Sequence, residues 1–300
     1  MAVDFGGLCK EKEPVILMDI SWHVYRNFYS FTGMSTEDKE YVGHYFGVAR
    51  TLIQLSENYP DSKIVLCRDG FPERKYKLYP EYKSGREKSG YCVGNDIPEI
   101  IELGLLLPNV SLAYNDLEEA DDVMYSLSKV CNRAYIFSGD DDLLQAINDR
   151  VKVVRQFDKG RLVEIGRESV ISEERFVKKY HGCPPERLPV FRAIVGDKSD
   201  RIGGLARFPR DLALYVANTV DSVEEVDKIP PPSHLSIARK RRFYQLRQEK
   251  ELLKRNYELM KLREVQVSFR EESTKDTIYK VEKYGLREYM RYLRRWYNVG

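Results

Sequence analysis

A mixed α/β fold on a mostly parallel sheet is the class that this 300-residue sequence predicts. Short apolar runs at 14–19 (PVILMD), 63–70 (KIVLCRDG), 110–114 (VSLAY) and 134–138 (AYIFS) read as buried strands. Helical stretches separate them, and this alternation through residue 150 indicates βαβ units. Carboxylates close or follow three of the runs, at Asp19, Asp69 and Asp140. In an open parallel sheet the strand ends line the ligand crevice, so these three can converge without being sequence neighbours.

The elements follow in order. Residues 41–57 place Val42, Phe46, Ala49, Ile53 and Leu55 on roughly one helical face. Residues 71–95 are polar, basic and rich in tyrosine, with little periodicity. Helices are expected at 97–107, 118–130 and 141–147, and a hairpin at 151–166 over the turn at Asp158 to Gly160. From Ser172 onward the pattern is helical almost to the end, broken by the proline-rich segment at 229–233.

Composition narrows the partners. The chain is 32% charged, yet its net charge is only +2, so it is no general polyanion coat. Any nucleic-acid surface must come from local segregation of charge. Its 21 tyrosines suit base stacking and half-buried packing alike. Cys9, Cys67, Cys92, Cys131 and Cys183 are scattered and odd in number, which argues against zinc and a disulfide framework and fits a reducing, cytoplasmic setting. No signal-like leader or membrane-length apolar window is present in the sequence.

The chemistry lies in the carboxylates. Glu119, Asp121 and Asp122 open one expected helix, and Asp140 and Asp142 flank the next. First-turn carboxylates and N-caps explain one or two such residues. Explaining all of them around one rim needs a cation, because close carboxylates resist joint ionisation. Hard oxygen ligands without Cys or His select Mg²⁺ or Mn²⁺. Two such ions would activate water and stabilise the leaving oxygen of a phosphodiester. A second motif, AIVGDKSDRIGGL at 193–205, adds Asp197 and Asp200 among Gly196, Gly203 and Gly204. Arg74, Lys75, Lys77, Lys83, Arg86 and Lys88 interleave with Tyr76, Tyr79, Tyr82 and Tyr91, a mixture suited to a single strand.

DGFPERKYKLYPEYKSGR, EADDV, SGDDDLLQAI and VGDKSDRIGG, in this order, resemble the flap endonuclease and 5′-3′ exonuclease family, in its bacterial and phage branch. The likeness runs from Val15 to about Leu262. It implies a PIN-like α/β core over residues 1–170, with 71–96 as a helical arch or clamp. It also implies a helical DNA-binding region over 171–300, with a helix-three-turn-helix at about 186–218. On this resemblance the metal set is Asp19, Asp69, Glu119, Asp121, Asp122, Asp140, Asp142, Asp197 and Asp200. Lys83 and Arg86 would act on the scissile phosphate. Arg74, Lys75, Lys77, Tyr82, Gly203, Gly204 and Arg207 would contact nucleic acid.

One departure stands out. Where the family's hairpin reads G-[IV]-x-G-[IV]-G, this chain has Gly204, Leu205, Ala206, Arg207, Phe208 and Pro209. Pro209 lacks an N–H donor, which argues against a K⁺-bridged backbone contact there, and Arg207 could pair with phosphate directly. The Asn that usually follows the SD pair is Arg201. The implied activity is a metal-dependent 5′ nuclease on branched or 5′-ended duplex DNA, RNA-DNA hybrid included, working as a monomer with a replication protein as a candidate partner. The rivals are a PIN-type single-strand ribonuclease and a structure-specific DNA-binding module without turnover. A HAD-like phosphatase is disfavoured, because MDISW supplies only one Asp.

Overall fold

The apolar run that ends in Asp19 forms β1 (Val15–Asp19), the central strand of the sheet. The architecture comes from a computed structural model, which describes residues 12–37, 39–84, 92–155, 170–273, 281–282 and 284–297. β1 pairs in parallel with β2 (Ile64–Arg68) on one side and β4 (Ala134–Phe137) on the other, so Leu17 lies between Val65 and Ile136. β3 (Val110–Tyr114) and β5 (Val151–Val154) extend the parallel set outward. Antiparallel edge strands, β6 (Val170–Ile171) beside β5 and β9 (Ser268–Arg270) beside β3, complete the order β6-β5-β4-β1-β2-β3-β9. Chain direction across the sheet therefore switches between β1 and β4, the topological position at which a crevice opens.

Strands buried on both faces read as continuous apolar runs. In β1, Val15 and Leu17 join one core and Ile16 and Met18 the other. Helices α1 (Ile20–Ser30), α2 (Gly43–Asn58), α3 (Glu73–Leu78), α4 (Ile97–Gly104) and α5 (Ala120–Val130) connect the strands. α6 (Glu173–Lys179), α7 (Leu188–Val195) and α8 (Arg210–Thr219) follow β6 (Val170–Ile171). A small hairpin of β7 (Gly196–Asp197) and β8 (Ile202–Gly203) separates α7 from α8. Among the described residues the remaining α-helices are α9 (Ile237–Phe243), α10 (Gln245–Gln248), α11 (Lys250–Met260) and α12 (Arg287–Tyr297).

The observed fold is the expected mostly parallel sheet flanked by helices. Three local expectations are corrected. The stretch after Ser172 is not helical throughout, because β9 (Ser268–Arg270) adds to the sheet edge beside β3. Its period-2 pattern, with Val265, Val267 and Phe269 alternating with polar residues, is a strand signal. The expected helix 141–147 is a 3₁₀ turn over Asp142–Ala146, and the helix from Ile97 stops at Gly104. The turn of the 151–166 hairpin lies outside the described residues, as do Arg86, Lys88 and Tyr91 of the arch.

One apolar cluster runs from Val15 and Val65 through Phe176, Phe191 and Leu253 to Val267, so the sheet and the later helices share a core. On the opposite face, Leu286, Tyr289 and Leu293 of the C-terminal segment pack with Leu52 and Ile101. Among the described residues, no helix is long and apolar enough to cross a membrane.

Candidate active site

Asp19 ends the central strand and caps α1. Its Oδ1 accepts from the Trp22 N–H at 2.9 Å, and its Oδ2 from the Ser138 hydroxyl at 2.8 Å. Asp69 follows β2 and its Oδ1 accepts the Ala120 N–H at 2.9 Å, which joins it to the start of α5. Asp140 follows β4 and its Oδ1 accepts the Asp142 N–H at 2.7 Å. Asp19 is thus a true N-cap, and Asp69 and Asp140 each bind a backbone N–H near a helix start, yet these backbone donors supply no positive charge. With Asp121 they line one cleft of about 690 Å³, and Lys83 stands at its edge. Gly139 is required here by space: a Cβ on it would lie 2.2 Å from Trp22 Nε1.

The nine expected metal ligands separate into three groups. Asp19, Asp69, Asp121 and Asp140 share the cleft, and among the described residues none of them forms an ion pair. Burial first, then the neighbouring Asp69 carboxylate, pushes Asp19 up to about 7. Burial, then Asp140 and Asp19, pushes Asp121 well up, and burial raises Asp140. Such carboxylates need a cation.

Glu119 and Asp122 belong elsewhere. Glu119 is 5% exposed and receives Lys75 Nζ on Oε2, Lys83 Nζ on Oε1 at 2.5 Å, and the Tyr82 hydroxyl at 3.0 Å. Burial alone would raise it, but Lys75 and Lys83 outweigh burial and hold it down at about 2. Asp122 is fully buried; its Oδ1 accepts the Arg263 N–H at 2.8 Å and its Oδ2 lies 3.9 Å from Lys75 Nζ. Its position is behind α5 rather than in the cleft, because the helix turns adjacent residues to different faces. The third group is Asp142, Asp197 and Asp200. Arg192 approaches the first two, and Asp200 Oδ2 lies 3.9 Å from Lys83 Nζ. Burial, and then the Asp140 charge against the attraction of Arg192, leaves Asp142 up at about 8. Among the described residues, no three of these side chains are drawn close enough to hold an ion as they stand. Mutual repulsion keeps carboxylates apart until a cation bridges them.

Two expected nucleic-acid contacts are corrected by burial. Lys75 is 3% exposed and Tyr82 2% exposed, both spent on Glu119, so neither faces a strand. Arg74 is committed to the protein as well, donating to the Glu258 carbonyl at 2.9 Å and lying 3.8 Å from Glu118. Lys77 is exposed beside Glu73 at 2.7 Å. Gly203 and Arg207 lie exposed on the hairpin region, and Gly204 packs against the end of α7. Lys83 (φ +53°) and Arg207 (φ +55°) both adopt the left-handed backbone that favours glycine. At Arg207, a residue with a full side chain, this conformation costs about 1–2 kcal/mol.

Sequence reading missed two contributors. Tyr25 lines the cleft and is 43% exposed, nearly two helical turns beyond Asp19. Asn256 of α11 is fully buried and donates to the Ala193 carbonyl at 3.0 Å and the Gly203 carbonyl at 2.8 Å, fastening the β7–β8 hairpin. A polar residue inside the otherwise amphipathic ELLKRNYELMKL was the available signal.

A family model described as 5′-3′ exonuclease, N-terminal resolvase-like domain, matches residues 14–181, more than half of the chain. The chain belongs to the 5′-3′ exonuclease family. The expected class of enzyme, a 5′-3′ exonuclease, stands. A 5′-3′ exonuclease of Aquifex aeolicus is 28% identical to this family member over 221 residues, covering 72% of this chain and 73% of that one. The thermostable DNA polymerase I of Thermus filiformis is 30% identical over 227 residues, covering 73% of this chain but 26% of the polymerase. Among solved structures, the T5 D15 protein co-crystallised with metal ions superposes with a TM-score of 0.62 at 16% identity, over 94% of this chain and 98% of that one. The catalytic core of Rad2 with a DNA substrate gives 0.54 at 15% identity, over 97% and 90%. Both share the fold.

The raised carboxylates make stability depend on pH and on divalent ions. A carboxylate whose folded-state pKa exceeds its unfolded value favours the fold while protonated. That contribution is full below the ordinary 3.8 and is lost as pH rises through about 7 for Asp19 and about 8 for Asp142. A divalent ion removes the repulsion that remains. The melting temperature is therefore expected to rise more on adding Mg²⁺ at pH 8 than at pH 5.5. Differential scanning fluorimetry with EDTA controls tests this, and an equal shift at both pH values contradicts it.

Proposed function

We propose that this family member hydrolyses a phosphodiester near the single-strand/duplex junction of branched or 5′-ended DNA, leaving a 5′-phosphate on the shortened strand. The carrying observation is the cleft in which Asp19, Asp69, Asp121 and Asp140, delivered by separate strand ends and a helix start, meet with none of the four in an ion pair among the described residues, while Lys83 and Arg68 line the same cleft. Oxygen donors without His or Cys fit Mg²⁺ or Mn²⁺, and we assign two ions to the full acidic set. Bound there, such ions supply an activated water and stabilise the leaving oxygen.

The chain's own groups do the rest. Asp19, Asp69, Asp121 and Asp140 would hold one ion, and Asp142, Asp197 and Asp200 complete the set. Lys83 stands beside the cleft, 2.5 Å from Glu119, within a side-chain swing of a phosphate placed among the carboxylates. Arg86 is assigned the same phosphate from the arch. Tyr25 offers an exposed ring to a base, a contact worth about 1–3 kcal/mol. The exposed turn with Gly203 and Arg207 is assigned to duplex phosphate. Arg207 gives a charge-assisted contact that needs no K⁺. RNA-DNA hybrids and primer removal in replication or repair fall within the same chemistry.

The test is cleavage of a 5′-labelled flapped duplex with Mg²⁺, beside matched single-stranded DNA and RNA. Products at the junction are expected, absent with EDTA. Cutting of single-stranded RNA alone, or tight flap binding without a product, would overturn the assignment.

A further inference from the structure

Arg192 occupies the place where the second half of the acidic set meets. It lies within α7, whose neighbouring Phe191, Ala193 and Ile194 are buried in the core. Its side chain is only 12% exposed. One terminal nitrogen, Nη2, donates to Asp197 Oδ2 and stands 3.1 Å from Asp142 Oδ1. The other, Nη1, lies 3.8 Å from Asp141 Oδ2. Asp141 is also paired with Arg155, which donates to the Asp140 carbonyl at 3.0 Å. Asp142 comes from the turn after β4 and Asp197 from the hairpin after α7, so one planar fork bridges two elements.

A guanidinium stays charged at any working pH and presents fixed donors. A divalent ion that took both Asp142 and Asp197 as ligands would have to displace it. We propose that Arg192 is a resident cation and a positioning residue. It holds Asp142 and Asp197 together and makes that half of the acidic set the weaker of two divalent-ion positions. The cleft carboxylates Asp19, Asp69, Asp121 and Asp140 form the tighter one. This inference rests on the metal-dependent reading above and adds an order of occupancy to it.

Mn²⁺ titration of the full chain without DNA, read by electron paramagnetic resonance of the free ion, tests it. Wild type is expected to bind one Mn²⁺ tightly and a second about tenfold or more weakly, the effect of a neighbouring like charge. Arg192→Gln should tighten the second by about the same factor, while Arg192→Lys, keeping the charge, leaves it weak. The lysine variant and circular dichroism guard against a folding defect in Arg192→Gln. Two equal positions in wild type, or a second position unchanged or weakened in Arg192→Gln, would overturn the role of Arg192 alone. Failure of every protein to bind Mn²⁺ would overturn the metal-dependent reading with it.

Discussion

Asp140→Asn is expected to lose flap cleavage by about 10³-fold or more, while flap binding persists and the metal-free protein becomes more stable. Asparagine keeps the oxygen that accepts the Asp142 N–H, so the turn after β4 is preserved. It removes the charge. Lewis-acid and nucleophile-generating effects of a bound ion amount to several kcal/mol, and each 1.36 kcal/mol is a factor of ten. The stability gain follows from burial, which already disfavours the Asp140 anion. Relieving such strain typically returns about 0.5–2 kcal/mol at the expense of function. The two directions are measured by single-turnover cleavage and by urea unfolding in EDTA. A destabilised variant would identify Asp140 as a structural cap, and unchanged cleavage would remove it from the ligand set.

Much of this was legible in the sequence, for reasons that differ by residue. Strand ends were readable because β1, β2 and β4 are buried on both faces and so appear as unbroken apolar runs. Parallel order then forces Asp19, Asp69 and Asp140 to one edge whatever the loops do. What sequence cannot give is how a carboxylate is compensated. Glu119, Asp121 and Asp122 are consecutive or nearly so, yet they face a lysine pair, the cleft and the core respectively. Helical geometry separates them, and the cations that settle their roles come from α3 and the turn after it, far away in sequence. The same blindness placed Lys75 and Tyr82 on a surface. A basic, tyrosine-rich segment looks solvated until the carboxylate that draws it inward is known. Arg192 was passed over because a single arginine in an apolar helix carries no pattern; only Asp142 and Asp197 closing around it give it meaning.

Lys75 should therefore behave as a buried ion-pair partner rather than a DNA contact. Lys75→Met removes the one cation between Glu119 and Asp122, all three being at most 5% exposed. Breaking a buried pair from one side typically costs about 3–5 kcal/mol; here Lys83 still pairs with Glu119, so a loss at the lower end of that range is expected. Glu119→Gln should also destabilise, since it leaves the ammonium facing only Asp122, 3.9 Å away. The double variant is expected to lose less than the sum of the singles, with a coupling of about 0.5–3 kcal/mol. Equilibrium urea unfolding of the four proteins at neutral pH measures it. A cost below about 1 kcal/mol for Lys75→Met would mean the pair is solvated, as surface bridges are. Methionine fills nearly the same volume as lysine's stem, so a large loss reports charge and not a cavity. The outcome also bears on the arch. Glu119 receives its three donors from α3 and the turn that follows it, so this pair anchors the segment that carries Lys83. Lys75→Met should accordingly loosen that anchor and slow the cleavage step more than it weakens flap binding.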